Sequence, residues 1–163
     1  MKTTKGFTLI EILVVIAIIG FVGFGVLFVV RNTLGKGLDA ARKADVSQIG
    51  KALTTICYLP DAGPGSYDLL PLLNEFFTKN PQYKSSLRRI PKDPKVGTTV
   101  FSGYTYIVSV DGKKCALYAN LQNKSEPVTL RNLNDPTSGG GSGVLSGTTA
   151  GVNGTKIYFQ VSN

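Results

Sequence analysis

The sequence lacks several of the residues on which much enzyme and metal chemistry depends. Its 163 residues include no His, no Trp, one Met and two Cys. The absence of His excludes a Ser-His-Asp triad, a Cys-His pair and any His-ligated metal centre. Acidic residues are also scarce, with 10 Asp and Glu against 18 Lys and Arg, so the formal net charge is +8. These absences remove several classes of enzyme and metal site, and the length fits one domain with an appendage.

Proline is absent between residues 7 and 59, and this gap includes a long apolar run. Residues 7–30 read FTLIEILVVIAIIGFVGFGVLFVV, and Glu11 is the only charged residue among these 24. As a helix they would extend about 36 Å, whereas the hydrocarbon core of a bilayer is about 30 Å thick. The run is too long for the apolar region of a secretory signal peptide, and no small-residue cleavage site follows it. It predicts a transmembrane helix.

Glu11 is the one residue that a plain membrane anchor does not explain. A carboxylate in the apolar part of a spanning helix costs a few kcal/mol, so it needs a partner or a function. A simpler interpretation also stands: an acidic residue near a helix start favours the helix dipole and lies at the level of the headgroups.

The heptapeptide KGFTLIE at residues 5–11, with the apolar run that follows it, resembles the class III signal of type IV prepilins. The resemblance implies that a prepilin peptidase removes a leader, residues 1–6, by cleaving between Gly6 and Phe7, after which the new N-terminus is methylated. Residues 7–30 would then form the core of a filament. We expect Glu11 to meet the α-ammonium group of Phe7 in a neighbouring subunit, because a polar pair can set the register of apolar helices.

Residues 31–58 predict an amphipathic continuation of the same helix, about 50 residues long in total. Apolar residues recur at steps of three and four, which places them on one stripe. Arg42 and the other polar residues of this stretch are expected mostly to face elsewhere. The apolar stripe comprises Leu34, Leu38, Ala41, Ile49, Leu53 and Ile56, and Val46 lies close to it.

Residues 59–163 predict a globular domain in which turns, one short helix and several strands follow the long helix. The fold class is α+β, a long N-terminal α-helix packed on a small antiparallel β-sheet, as in type IV pilins. Asp111-Gly112 predicts a two-residue hairpin turn. A stretch rich in Gly, Ser and Thr at 135–154 predicts a long flexible loop. The other predicted elements are a turn at 59–65, a helix at 68–77 and strands at 104–110, 115–121, 128–130 and 156–161.

Four segments extend the resemblance to the major pseudopilins of type II secretion, namely residues 45–53, 90–94, 104–106 and 117–122. The resemblance implies a structural subunit, not an enzyme, with no catalytic residues and no cofactor. It would be first single-pass in the membrane and then part of an extracytoplasmic or cell-surface filament. Its partners would be identical subunits, the prepilin peptidase, the pilus or secretion assembly machinery and the membrane. Two uses stay open, a secretion pseudopilus and a surface pilus. The alternative from another class is a membrane-anchored extracytoplasmic binding domain that never polymerises.

The two cysteines, Cys57 and Cys115, predict a disulfide, because cysteines of exported domains commonly pair. Two buried free thiols are the alternative. Major pseudopilins often bind calcium, and Asp111 and Asp135 are candidate ligands here. They form no dense cluster with ligand spacing, so we predict no metal.

A basic stretch lies at residues 84–95 and is opposed only by Asp93. Phosphate contacts with DNA are one interpretation. A solvated loop, or contacts with acidic patches of adjacent subunits, is the other. No interleaved aromatic residues indicate stacking on single strands. The basic residues are Lys84, Arg88, Arg89, Lys92 and Lys95.

Overall fold

The computed structural model describes residues 8–87 and 89–163, without the side chains of residues 25–32 and 86. The chain divides into two compact units, residues 1–35 and 36–163. We refer to them as the first and the second unit.

The described part contains two α-helices, a 3₁₀ helix and five strands. The helices are α1 (Leu9–Ile56) and α2 (Leu69–Lys79), and the 3₁₀ helix is Pro81–Ser86. The strands are β1 (Gly65–Asp68), β2 (Tyr104–Val108), β3 (Cys115–Asn120), β4 (Gly143–Ser146) and β5 (Ile157–Ser162). The predicted α+β class with a long N-terminal helix is confirmed.

The five strands form one antiparallel sheet in the order β1-β2-β3-β5-β4. Strand β2 alternates as predicted, with Tyr104, Tyr106 and Val108 buried. The predicted strand was too long, because Val110 lies in the turn and is 93% exposed. That turn is also longer than predicted: Ser109 N–H donates to the Lys114 carbonyl at 2.8 Å, so four residues separate this pair rather than two.

The core of the second unit lies between α1, α2 and the sheet. Helix α1 contributes Val46, Ile49 and Leu53, which are buried against residues of α2 and of the central strands. The sheet and α2 side of the core comprises Leu69, Leu72, Leu73, Tyr104, Tyr106, Val108, Leu117, Ala119 and Val161.

The buried face of α1 differs from the predicted stripe at its two ends. Leu34, Ala41 and Ile56 are exposed, and Leu38 is only half-buried. Asp39 and Arg42 are buried instead, on the same face as Val46 and Ile49. The prediction that Arg42 faces elsewhere was therefore wrong, because hydrogen-bonding partners outside the helix make its burial possible.

Three further predictions in the globular part need correction. Strand β1 follows directly on the predicted turn at 59–65 and was not predicted. Strand β4 lies inside the predicted flexible loop at 135–154, where pairing with β5 orders it. Residues 128–130 form no strand, although Thr129 and Leu130 N–H both donate to the Val144 carbonyl at 2.9 and 2.8 Å. These bonds cover the outer edge of β4.

Candidate functional site

The start of helix α1 is a capping box formed by Thr8 and Glu11. The Thr8 hydroxyl and backbone N–H donate to Glu11 Oε2 at 2.7 and 2.9 Å. The Glu11 N–H in turn points to Thr8 Oγ1 at 3.4 Å. This reciprocal arrangement, three residues apart, satisfies backbone donors that the first turn leaves without partners. Gly6 and Phe7, the predicted processing residues, lie outside the described residues.

The first unit presents an apolar helix surface with exposed side chains. Leu9, Phe21 and Phe24 are each more than three-quarters exposed, and the apolar residues between them are about half exposed or more. In the part of the chain that the structure describes, no helix is both long and apolar enough to cross a membrane. The span predicted over residues 7–30 includes Phe7 and the side chains of residues 25–30, which lie outside the described part.

Helix α1 ends in a Schellman motif that contains Cys57. Cys57 has a φ of +40°, and Tyr58 N–H donates to the Leu53 carbonyl at 3.4 Å. In the nomenclature of helix caps, Tyr58 is C″ and Leu53 is C3, and this hydrogen bond is typical of the motif. Cys57 is C′, a left-handed position that usually holds Gly. Cys57 forms a disulfide with Cys115 of β3. The bridge joins the end of α1 to the central part of the sheet, in line with the predicted pair.

A buried ionic cluster around Arg42 is the main feature that the sequence analysis missed. Its guanidinium binds Asp93 in a bidentate manner, through Nε at 2.8 Å and Nη2 at 2.9 Å. Nη1 donates to Asp39 Oδ1 at 2.7 Å, and Nη2 also donates to Asn153 Oδ1 at 3.1 Å. The Arg42 and Asp93 side chains are fully buried. Arg42 precedes Val46 by four residues and Ile49 by seven. This helical spacing places Arg42 on the buried face of α1 and could have indicated its burial.

The two carboxylates of the cluster also accept backbone hydrogen bonds, Asp39 from a distant loop and Asp93 from residues of its own loop. Asp39 accepts from the N–H groups of Gln122 and Asn123 at 2.8 and 2.7 Å. Asp93 accepts from those of Lys95 and Val96 at 2.8 and 3.1 Å. Burial disfavours the charged form of Asp93, but the Arg42 guanidinium and these bonds outweigh it and hold the pKa of Asp93 below its usual value.

Comparison with known proteins concerns the N-terminal segment. The family model for the prokaryotic N-terminal methylation motif matches residues 1–27. The chain carries a prokaryotic N-terminal methylation motif. The predicted resemblance to the type IV prepilin signal is confirmed for this segment. No curated protein and no solved structure matches the chain significantly.

The methylation motif has direct implications for the N-terminal residues. It implies processing by a prepilin peptidase and a route to pilus assembly. It is typical of structural subunits of the pilin type rather than of enzymes. Thr8 and Glu11 both follow the predicted cleavage point, so the capping box would remain intact in the processed chain.

The remaining sequence-predicted candidates are dispersed over the second unit. Asp111 accepts from the Ser109 hydroxyl, and Asp135 accepts from Thr148. Among the described residues, no group of three or more metal-ligating side chains comes together. In the basic stretch, the Asp93 carboxylate points inward and pairs with Arg42, so it does not neutralise the cations beside it in the sequence. Arg88 lies outside the described residues.

Proposed function

We propose that this chain is a structural subunit of a type IV pilus-like filament, cut by a prepilin peptidase between Gly6 and Phe7 and polymerised through its N-terminal helix. The observation that carries the proposal is the methylation motif over residues 1–27, joined to a helix whose apolar side chains are exposed in the single chain. Exposed apolar surface of this extent favours burial in lipid or against other subunits.

The proposal divides the chain by role. Residues 1–6 are the leader, and residues 7–30 form the transmembrane helix that becomes the filament core. Residues 31–58 are the amphipathic continuation of the helix, and residues 59–163 form the globular domain. The subunit is held in the membrane as a single-pass protein before assembly and lies in an extracytoplasmic or cell-surface filament afterwards.

Glu11 has two successive roles in this proposal. In the single chain its carboxylate caps the helix through Thr8. In the filament the α-ammonium group that cleavage creates on a neighbour's Phe7 approaches the same carboxylate. The Thr8 donors are neutral, whereas the ammonium carries a full positive charge, so its Coulombic attraction to the carboxylate lets it compete with the hydroxyl for this acceptor. The pair would fix the axial register of otherwise apolar helices.

The deciding experiment is the intact mass and N-terminal sequence of the full chain recovered from membranes, with and without a prepilin peptidase. We expect a chain that begins at Phe7, with an added methyl group, only when the peptidase is present. A chain that still begins at Met1 beside an active peptidase would contradict the proposal. The working hypothesis would then be the membrane-anchored binding domain that does not polymerise.

We further propose a type II secretion pseudopilus or a related pilus as the specific filament. The pseudopilin-like segments at residues 45–53 and 117–122 favour the former. Deletion of the gene separates the two uses. Loss of exoprotein secretion with normal surface adhesion indicates a pseudopilus, whereas loss of surface fibres with normal secretion indicates a pilus.

A further inference from the structure

One carboxylate of the second unit bridges a lysine of helix α1 and an asparagine side chain in the loop after β3. The Lys43 ammonium group donates to Glu126 Oε1, and Asn123 Nδ2 donates to Glu126 Oε2 at 3.1 Å. The amine and the amide therefore lie against the two oxygens of a single carboxylate. All three residues are partly buried, with the Lys43 side chain 29% exposed and that of Glu126 18% exposed.

The loop that carries Asn123 is fixed to α1 one helical turn before Lys43. The Asn123 backbone N–H donates to Asp39 Oδ2 at 2.7 Å. Asp39 is buried and also binds Arg42, so this anchor belongs to the ionic cluster described above. Residues four apart are neighbours on one face of a helix, and the Asn123 side chain thus starts from a fixed point beside Lys43.

The side-chain amide of Asn123 is hydrogen-bonded at both of its polar atoms. Its Oδ1 accepts from the Ser125 backbone N–H at 3.1 Å, while its Nδ2 contacts Glu126. A donor at the carbonyl oxygen stabilises the negative charge that an attacking nucleophile would place there. A carboxyl group at the amide nitrogen is placed to deliver a proton to it as it leaves.

These contacts provide the three groups that acyl transfer requires, namely a nucleophile, an acid–base group and a donor for the carbonyl oxygen. Groups held together within one folded chain react as if at very high concentration. Another ion-paired lysine of the described residues lacks this arrangement. Lys79 contacts Asp61 and Glu75, and neither carboxylate accepts from a side-chain amide in the described part of the chain.

We propose that Lys43 and Asn123 form an isopeptide bond, with Glu126 as the acid–base group. Glu126 takes one proton from the Lys43 ammonium, and the neutral amine attacks Asn123 Cγ. A second proton passes from the amine nitrogen to Nδ2 through the same carboxyl group, the Cγ–Nδ2 bond breaks and ammonia leaves. Glu126 then releases the first proton to water. The reaction needs no oxidant, cofactor or second substrate.

The bond would add a second covalent connection between α1 and the rest of its unit. The disulfide joins Cys57, at the end of the helix, to Cys115 in β3, whereas the isopeptide would join an earlier turn to the loop after β3. The inference goes beyond the proposed function and does not depend on it. Because a covalent link also constrains the unfolded chain, unfolding measurements on Lys43 variants are made in an Asn123→Ala background, which cannot form it.

The test is a tryptic digest of the full chain recovered from membranes, after reduction and alkylation of the cysteines. A free Lys43 allows cleavage and gives separate peptides, residues 44–51 and 115–124. An acylated Lys43 blocks that cleavage. We expect a branched peptide that joins residues 43–51 to 115–124 and is lighter than their sum by the mass of one ammonia. Both peptides lie outside the N-terminal segment, so the result is independent of peptidase processing.

Three variants separate the roles. Lys43→Arg keeps the positive charge beside Glu126 but supplies no neutral amine, so the branched peptide should be lost. Glu126→Gln keeps both reacting groups, and the yield of branched peptide should fall by about 100-fold or more, the usual contribution of a general acid–base group. Lys79→Arg is the matched control at an ion-paired lysine without an amide partner, and it should leave the branched peptide unchanged.

Two results would overturn the inference. One is recovery of the free peptides 44–51 and 115–124 from a parent chain whose unreduced digest shows the disulfide. The other is loss of ammonia confined to peptide 115–124, with peptide 44–51 free, which would indicate a cyclic imide at Asn123. A branched peptide formed equally well in Glu126→Gln would contradict the role given to that carboxylate. A chain that keeps its leader but carries the branched peptide contradicts only the proposed function.

Discussion

Arg42 shows how a single charged residue organises the second unit at the residue scale. Its guanidinium reaches Asp39 in its own helix, Asp93 in a loop 51 residues further on and Asn153 in a loop 111 residues away. Asn153 N–H also donates to Asn120 Oδ1, at 2.7 Å, which adds the end of β3 to the cluster. The burial of one cation between two carboxylates is stable only because all three groups keep their hydrogen bonds.

Removal of the Arg42 charge should destabilise the second unit strongly. We expect Arg42→Met to lower the free energy of unfolding by about 3–5 kcal/mol, because Asp39 and Asp93 would remain buried without their cation. Urea unfolding followed by circular dichroism measures this loss. Lys43→Met, one residue along, is the control, since the Lys43 ammonium pairs with Glu126 in a partly exposed position. Equal losses in the two variants would contradict the role given to the buried cluster.

Asp93 should make the unfolding free energy depend on acid pH. Its pKa is lowered in the folded protein, so its stabilising contribution is present above the usual carboxyl pKa of about 3.9 and is lost as the pH falls through the folded value. We expect Asp93→Asn to be less stable at pH 7 and to lose less stability than the parent between about pH 4 and pH 2. Unfolding curves over this range test the difference. If the free energy of unfolding falls equally in the two proteins as the pH is lowered, Asp93 does not contribute to the acid sensitivity of the fold.

At the scale of the elements, helix α1 is closed at both ends by capping interactions within the chain. Thr8 and Glu11 cap the start, and the Schellman motif around Cys57 caps the end. The sequence predicts the existence of α1 well, because proline is absent and the apolar residues recur at helical spacing. It does not predict Arg42 on the buried face, because the partners of Arg42 lie in segments that only the tertiary structure brings near.

Cys57 occupies a left-handed position that favours Gly, and this preference can be measured apart from the disulfide. In two variants that both carry Cys115→Ser, we compare Cys57→Gly with Cys57→Ala. We expect the Gly variant to be more stable by about 1 kcal/mol, because Gly adopts positive φ without the steric cost of a Cβ atom. Thermal unfolding measures the difference. An Ala variant of equal or greater stability would contradict a left-handed backbone at this position.

Two glycines of α1 should respond in opposite directions to substitution by Ala. At Gly37 an added Cβ meets nothing within 4 Å, so we expect Gly37→Ala to stabilise the helix by roughly 1 kcal/mol. At Gly50 the same atom would lie 2.9 Å from Val161 Cβ in β5. We expect Gly50→Ala to destabilise the protein by about 1–3 kcal/mol, because the helix and the sheet must move apart. Similar melting temperatures for the two variants would contradict the close contact of α1 with β5.

At the scale of the whole molecule, the sequence predicts the fold class but not the complete sheet. Strands β2 and β3 were predicted from alternation and from the turn between them. Strand β4 was not, because Gly143–Ser146 has the composition of a loop and becomes a strand only through β5 and the bonds from Thr129 and Leu130. The site residues at the N-terminus were predicted from the motif. The capping interaction between Thr8 and Glu11 is visible only in the structure.

Filament assembly should depend on the charge of Glu11 and not on its capping role. Glu11→Gln removes the charge, but Gln also serves at this position of a capping box. Thr8→Ala removes the cap and keeps the charge. We expect Glu11→Gln to abolish filaments in electron micrographs of sheared cells, while Thr8→Ala still assembles.

Both variants must be shown to reach the membrane and to be cut at Phe7. If Glu11→Gln is processed and polymerises as well as the parent chain, the proposed pair with the neighbour's ammonium group is contradicted. If only Thr8→Ala fails to assemble, the cap is the essential feature of this segment.

In the proposed function the globular domain is exported, and the order of the strands then determines when its sheet can be completed. Strand β5 lies between β3 and β4, yet it follows both of them in the chain. Among the described strands, β4 pairs only with β5, through residues 157–160, so on that route it stays unpaired until these residues follow it across the membrane. Up to that moment the exported part of the chain exposes the edge of β3 and has a core without Val161. A chaperone or quality-control protease of that compartment would meet this incomplete sheet first, and a translocation arrest before residue 157 should convert a stable subunit into a substrate for degradation.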